Sequence, residues 1–131
     1  MPNILGLDIG DRHTGVAISE EGSNLASIYK TINHDSTTSL VSRVKEIVTK
    51  EDVTIIVVGL SLNMKGEKTP QTASIREKVD FIENETGCQI KWQDERLSSK
   101  QAKDILKLEG VNRTDHELAA KIILQNYLDR R

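Results

Sequence analysis

Val53-Thr54-Ile55-Ile56-Val57-Val58-Gly59 is the segment that most narrows the choice of fold. Six of its seven residues are β-branched and only one is polar, so it has no face to show water. Such a run reads as a strand covered on both sides, as in the centre of a parallel sheet packed between helices. The segments before it read as three more strands. Asn3 to Ile9 alternates apolar with small or polar residues, Val16 to Ser19 is a second strand, and Leu25 to Ile32 is a third. The turns between them, Gly10 to Gly15 and Glu20 to Asn24, are short, which predicts an antiparallel meander.

The remainder alternates helix and strand. Leu40, Val41, Val44, Ile47 and Val48 recur at helical spacing behind an Asp35-Ser36 start signal. Thr69-Pro70 offers an N-cap and a proline at the first helical position, for a helix running towards Thr86 and stopped by Gly87. Cys88 to Trp92 is the next strand, and a helix from about Ser98 to Leu108 ends at Gly110. The last helix opens on Thr114-Asp115-His116-Glu117, a capping box, and is expected to turn Leu118, Ile122, Ile123, Leu124, Tyr127 and Leu128 inward. The order β-β-β-α-β-α-β-α-α predicts one α/β domain over residues 1–131, a five-stranded mixed sheet with helices on both faces. That order is found in the ribonuclease H-like fold, whose strands lie 3-2-1-4-5. A fold alone does not name an activity.

Composition restricts the function classes. With one Trp, two Tyr and one Phe in 131 residues, aliphatic side chains have to build the core. No run approaches the roughly 18 to 20 apolar residues that cross a bilayer, and no basic region precedes an apolar stretch at Met1 to Leu5. No membrane association and a cytoplasmic location are therefore expected. The single cysteine, Cys88, excludes a disulfide scaffold and a thiolate zinc cluster. The net charge of −2, from 18 basic and 20 acidic residues, gives no global footprint for nucleic acid. A local basic patch together with bound cations would suffice for a nucleic-acid enzyme.

Three places can hold chemistry. Asp8 ends a strand expected to be central, at the carboxyl edge where open α/β sheets bind ligands; the alternative is a turn aspartate bonded to its own backbone. Glu95, in Asp94-Glu95-Arg96, follows a strand that would end on the same sheet edge if it runs parallel to the first. A solvated loop with a surface ion pair is the competing explanation. Asp115 and His116 occupy the first turn of the last helix, ahead of Ala119-Ala120, which permit a close approach to the sheet. Helical spacing does not choose between them, and Asp115 is also explained as a charge favouring the helix dipole. Oxygen-rich sites of this kind suit Mg²⁺ or Mn²⁺, two of which can promote phosphodiester cleavage. His13, His34 and His116 lack zinc-ligand spacing. Lys100, Lys103 and Lys107 share one helix face near Arg96, either as a solvated face or as a track for a phosphate backbone.

These residues are also where the chain resembles a known family. Leu5 to Gly10 with Gly15-Val16-Ala17, Ile56 to Leu60 through Leu62 to Gly66, Trp92 to Ser98, and Ala119 to Leu128 together resemble the YqgF (RuvX) family. Its members are described as Holliday-junction-resolvase-like proteins and pre-16S rRNA nucleases. The resemblance implies a ribonuclease H-like fold and a metal-dependent endonuclease, with Asp8 and Glu95 as site carboxylates. At the third acidic position, three residues before the Ala-Ala pair, this chain has His116, with Asp115 beside it. An imidazole there makes Mn²⁺ plausible over Mg²⁺. His13 stands where arginine is common, weakening a phosphate contact at the turn, and Asn63 falls in a loop that faces substrate in the family. Structured RNA, or branched DNA, is the implied partner, and the protein is expected to be a monomer or weak homodimer.

Two other readings compete. Asp8-Ile9-Gly10 with Gly15 looks like the phosphate loop of actin-like kinases and ATPases, but those need a second related domain that 131 residues do not supply. A nucleic-acid-binding module of ribosome biogenesis without catalysis is the other, supported by His116.

Overall fold

The computed structural model describes residues 3–20, 22–60, 70–94 and 116–130. Within them lie five strands, β1 (Asn3–Ile9), β2 (His13–Ser19), β3 (Ser27–Asn33), β4 (Val53–Leu60) and β5 (Gln89–Asp94). Three helices accompany them: α1 (Thr37–Glu51), α2 (Pro70–Thr86) and α3 (His116–Arg130). The sheet order is β3-β2-β1-β4-β5, as the element order predicts. β1, β2 and β3 form the antiparallel meander, and β1, β4 and β5 run parallel. The expected helix over 98–108 lies outside the described residues.

Alternation along β1 divides the core in two. Leu5, Leu7 and Ile9 point to one face and pack with Leu40, Val44 and Ile47 of α1 and with Ile75, Val79 and Ile82 of α2. Ile4 points the other way, to the face where Ala120, Ile123, Leu124 and Leu128 of α3 pack with Ala17 and Val57. β4 contributes Ile56 and Val58 to the first layer and Val57 to the second, so its apolar run is consumed on both sides.

Local signals account for the element ends. The Ser36 hydroxyl accepts the Ser39 N–H at 3.1 Å and caps α1. At the end of α2, Gly87 adopts φ +72° and its N–H reaches the Glu83 carbonyl at 2.9 Å.

Three expectations are corrected. β2 begins at His13, so the β1–β2 turn is confined to residues 10–12 and Gly15 is a strand residue paired with Asp8 rather than the end of the turn. β3 begins at Ser27, and Leu25 is 71% exposed outside it. Here Gln125 of α3 replaces the ladder: its Oε1 accepts the Ala26 N–H at 2.9 Å and its Nε2 donates to the Asn24 carbonyl at 2.8 Å. In α3, Leu118, Ile122 and Tyr127 are only partly buried, whereas Ala119 and Ala120 are buried. The helix lies so close to the sheet that its small residues fill the line of contact and larger ones flank it.

Candidate active site

Two glycines set that close approach. A methyl group on Gly6 would sit 2.7 Å from the Leu124 Cβ and 3.1 Å from the Ala120 carbonyl oxygen. One on Gly15 would collide with the backbone carbonyl of His116. Gly15 is the cross-strand partner of Asp8, so residue 116 is seated over the position next to Asp8 in the sheet. Paired residues share a face, so the Asp8 side chain projects on the side covered by α3.

The result is a carboxylate against an imidazole. His116 Nδ1 lies 3.7 Å from Asp8 Oδ2, with the Asp8 side chain 16% exposed and the His116 side chain 35%. No Lys or Arg pairs with Asp8 among the described residues. The His13 ring lies 5.7 Å from the His116 ring, centroid to centroid. His13 Nδ1 is 2.6 Å from Asn33 Oδ1; with the carboxamide oxygen accepting, His13 donates from Nδ1. The neighbouring residue Glu117 accepts a hydrogen bond from the Thr31 hydroxyl at 3.0 Å, tying the first turn of α3 to β3.

The structure thus brings Asp8 and His116 together. Glu95, Arg96, Lys100, Lys103, Lys107, Asn63 and Asp115 lie outside the described residues, as does the Thr114 cap. Parallel β1, β4 and β5 place the carboxyl ends of β1 and β5 on one edge of the sheet, with β4 between them. The two strand ends are therefore next-nearest neighbours.

Asn33, His34, Arg12, Arg43 and Gln93 are singled out by no motif in the sequence and take their places only in the fold. His34 is 7% exposed, and one ring nitrogen, Nε2, is 2.8 Å from the Thr14 hydroxyl. Burial, then the positive charge of Lys78, holds its pKa below the ordinary histidine value. Gln93 is buried opposite Gly59, without a hydrogen-bond partner for its carboxamide among the described residues. The histidines are scattered in sequence, and only β2-β3 pairing and the seat of α3 unite them. The one available signal was a polar residue in a strand position where alternation asks for an apolar one, as at Thr14 and Gln93.

Comparison with known proteins identifies the fold and the family. A family model described as RuvX, Holliday junction resolvase, matches residues 2–130. A proposed pre-16S rRNA nuclease of Chloroflexus aggregans is 38% identical over 133 residues, covering 98% of this chain and 94% of that protein. One from Caldanaerobacter subterraneus subsp. tengcongensis is also 38% identical, covering 96% and 95%. Among solved structures, RuvC of T. thermophilus in complex with Holliday junction substrate matches with a TM-score of 0.66 at 14% identity, over 100% of this chain and 96% of that one. The Fowlpox virus resolvase with Holliday junction DNA matches with a TM-score of 0.61 at 15% identity, over 98% and 97%. These structural likenesses establish the ribonuclease H-like fold anticipated from the element order. The family match and the close relatives, both spanning nearly the whole length, show that the chain belongs to the RuvX family.

Proposed function

We propose that this protein is a divalent-metal-dependent endonuclease that hydrolyses phosphodiester bonds in structured nucleic acid, with precursor 16S rRNA as its substrate. The observation that carries the reading is Asp8. Its carboxylate is largely withdrawn from water at the end of the central strand, faces an imidazole, and has no Lys or Arg counter-charge among the described residues. A carboxylate in that position calls for a cation. Asp8 would give the ion an oxygen and His116 a nitrogen, with Glu95, directly after β5, as the second carboxylate. A mixed oxygen and nitrogen set favours Mn²⁺ over Mg²⁺. Bound ions would supply the positive charge that phosphodiester hydrolysis needs at its attacking and leaving oxygens. His13, oriented by Asn33, packs its ring against that of His116. Arg96, Lys100, Lys103, Lys107 and Asn63 are assigned to the nucleic-acid backbone.

The names of the relatives favour a ribosomal RNA precursor, whereas the family description favours branched DNA as a second reading. We place the protein in the cytoplasm as one domain, a monomer or weak homodimer. No helix among the described residues is long and apolar enough to cross a membrane.

The test is cleavage of a labelled RNA spanning the 5′ end of 16S rRNA, and of a four-way DNA junction, with Mn²⁺, Mg²⁺ or EDTA. Wild type should cut the RNA with Mn²⁺. Asp8→Asn, nearly isosteric but uncharged, should fold normally, cut nothing and lose Mn²⁺ binding in calorimetry. Undiminished cutting by Asp8→Asn would overturn the mechanism. Cutting of the junction alone would make branched DNA the substrate, and binding without cutting would make the protein a non-catalytic module.

A further inference from the structure

A cleft of about 580 Å³ opens between the β1–β2 turn and the first turns of α1. Arg12 stands on the turn, while Ser39 and Arg43, four residues apart on α1, present one helix face. His13 and Asn33 join the cleft to the site through the His13–His116 ring contact. The two walls are fastened together, since the His34 N–H donates to the Arg12 carbonyl at 2.9 Å.

Neither guanidinium is ion-paired or hydrogen-bonded among the described residues, and both side chains are exposed. Asp35 is the one carboxylate in the lining, against the two guanidinium groups. His34 is buried in the lining, with Nε2 occupied by Thr14 and Nδ1 without a partner among the described residues. Planar guanidinium forks match phosphate oxygens, and the ring contact that joins the cleft to the Asp8–His116 pair favours a phosphate carried on the substrate strand.

We propose that this cleft is a phosphodiester subsite, in which Arg12 and Arg43 hold a backbone phosphate of the substrate strand adjacent to the one presented to Asp8 and His116. The subsite rests on the nuclease reading for its place along the strand. It fixes the direction in which the strand leaves the site, past His13 and towards α1.

The test is fluorescence anisotropy of a labelled RNA stem-loop and a labelled four-way DNA junction, in EDTA so that nothing is cut, across a series of salt concentrations. Arg12→Gln and Arg43→Gln, both exposed, should melt like wild type. Each should weaken binding several-fold and lower the slope of log affinity against log salt by about one. Replacing backbone phosphates one at a time by neutral methylphosphonates in the DNA junction should reveal a position that matters in wild type and is silent in Arg43→Gln. Competition by millimolar inorganic phosphate that matches the loss in Arg43→Gln would show a free-anion site and overturn the strand assignment. An unchanged salt slope in both variants would overturn the subsite alone. Absence of binding to either probe by wild type would overturn the subsite and the nuclease reading together.

Discussion

At the scale of single residues, position 116 decides what the site can hold. An imidazole carries no negative charge, so a site of Asp8 with His116 attracts a hard cation less strongly than one built from carboxylates alone. Replacing His116 with Asp should raise Mg²⁺ affinity relative to Mn²⁺, read by calorimetry with each ion, and should shift the ion preference of cleavage the same way. Equal preference before and after would remove His116 from the ligand set. Asp115→Ala should leave ion binding in place, since the register of α3 sends residue 116 towards Asp8. His34 presents a different kind of chemistry. Burial holds its folded pKa below the unfolded value of 6.5, so the unfolded chain binds the proton more readily. Its contribution to stability is full above about pH 6.5 and is lost as the pH falls from there through the lowered folded value. Urea midpoints should therefore drop between pH 7.5 and pH 5.5, and His34→Gln should flatten that drop. A midpoint that responds to pH equally in both proteins would show that other groups govern it.

At the scale of elements, the site depends on how closely α3 sits on the meander. Gly15 provides the seat for the His116 backbone, and Gly6 receives the Leu124 side chain one turn pair further along. Gly15→Ala has no room for its methyl group unless the first turn of α3 lifts. The expected cost is about 1 to 3 kcal/mol in urea denaturation, within the range of overpacked cores. The lift separates His116 from Asp8, so cleavage should fall more than the stability loss explains at a temperature where the variant is fully folded. A Gly15→Ala protein with unaltered activity would mean that the first turn of α3 is not part of the site. The strands meanwhile need no such fitting: the β1–β2 register pairs Asp8 with Gly15 directly, and the turn at 10–12 fixes it.

At the scale of the whole molecule, the mixed sheet gathers one edge from which both the carboxylate of β1 and the end of β5 project, and the helices close its two faces unequally. Among the described residues, α1 and α2 cover one face with large aliphatics, and α3 covers the other with alanines at its closest line. Much of this was legible in the sequence because it is local. The β-branched run at 53–59 has no polar face and has to be an interior strand, the short turns dictate a meander, and Ser36 and Gly87 mark helix ends through backbone chemistry that depends on immediate neighbours. The position of Asp8 at the end of a central strand followed from the same reasoning. Spacing alone left Asp115 and His116 equal, because adjacent residues in an expected helix start are not separated by periodicity, and only family register distinguished them. Tertiary structure placed the His116 ring against Asp8 and the His13 ring against His116. It also tied His34 to Thr14 and opened the arginine cleft, since each pairing joins residues 20 to more than 100 positions apart. Such contacts depend on strand register and on the depth to which a helix settles over glycines, and neither is written in any short stretch of chain.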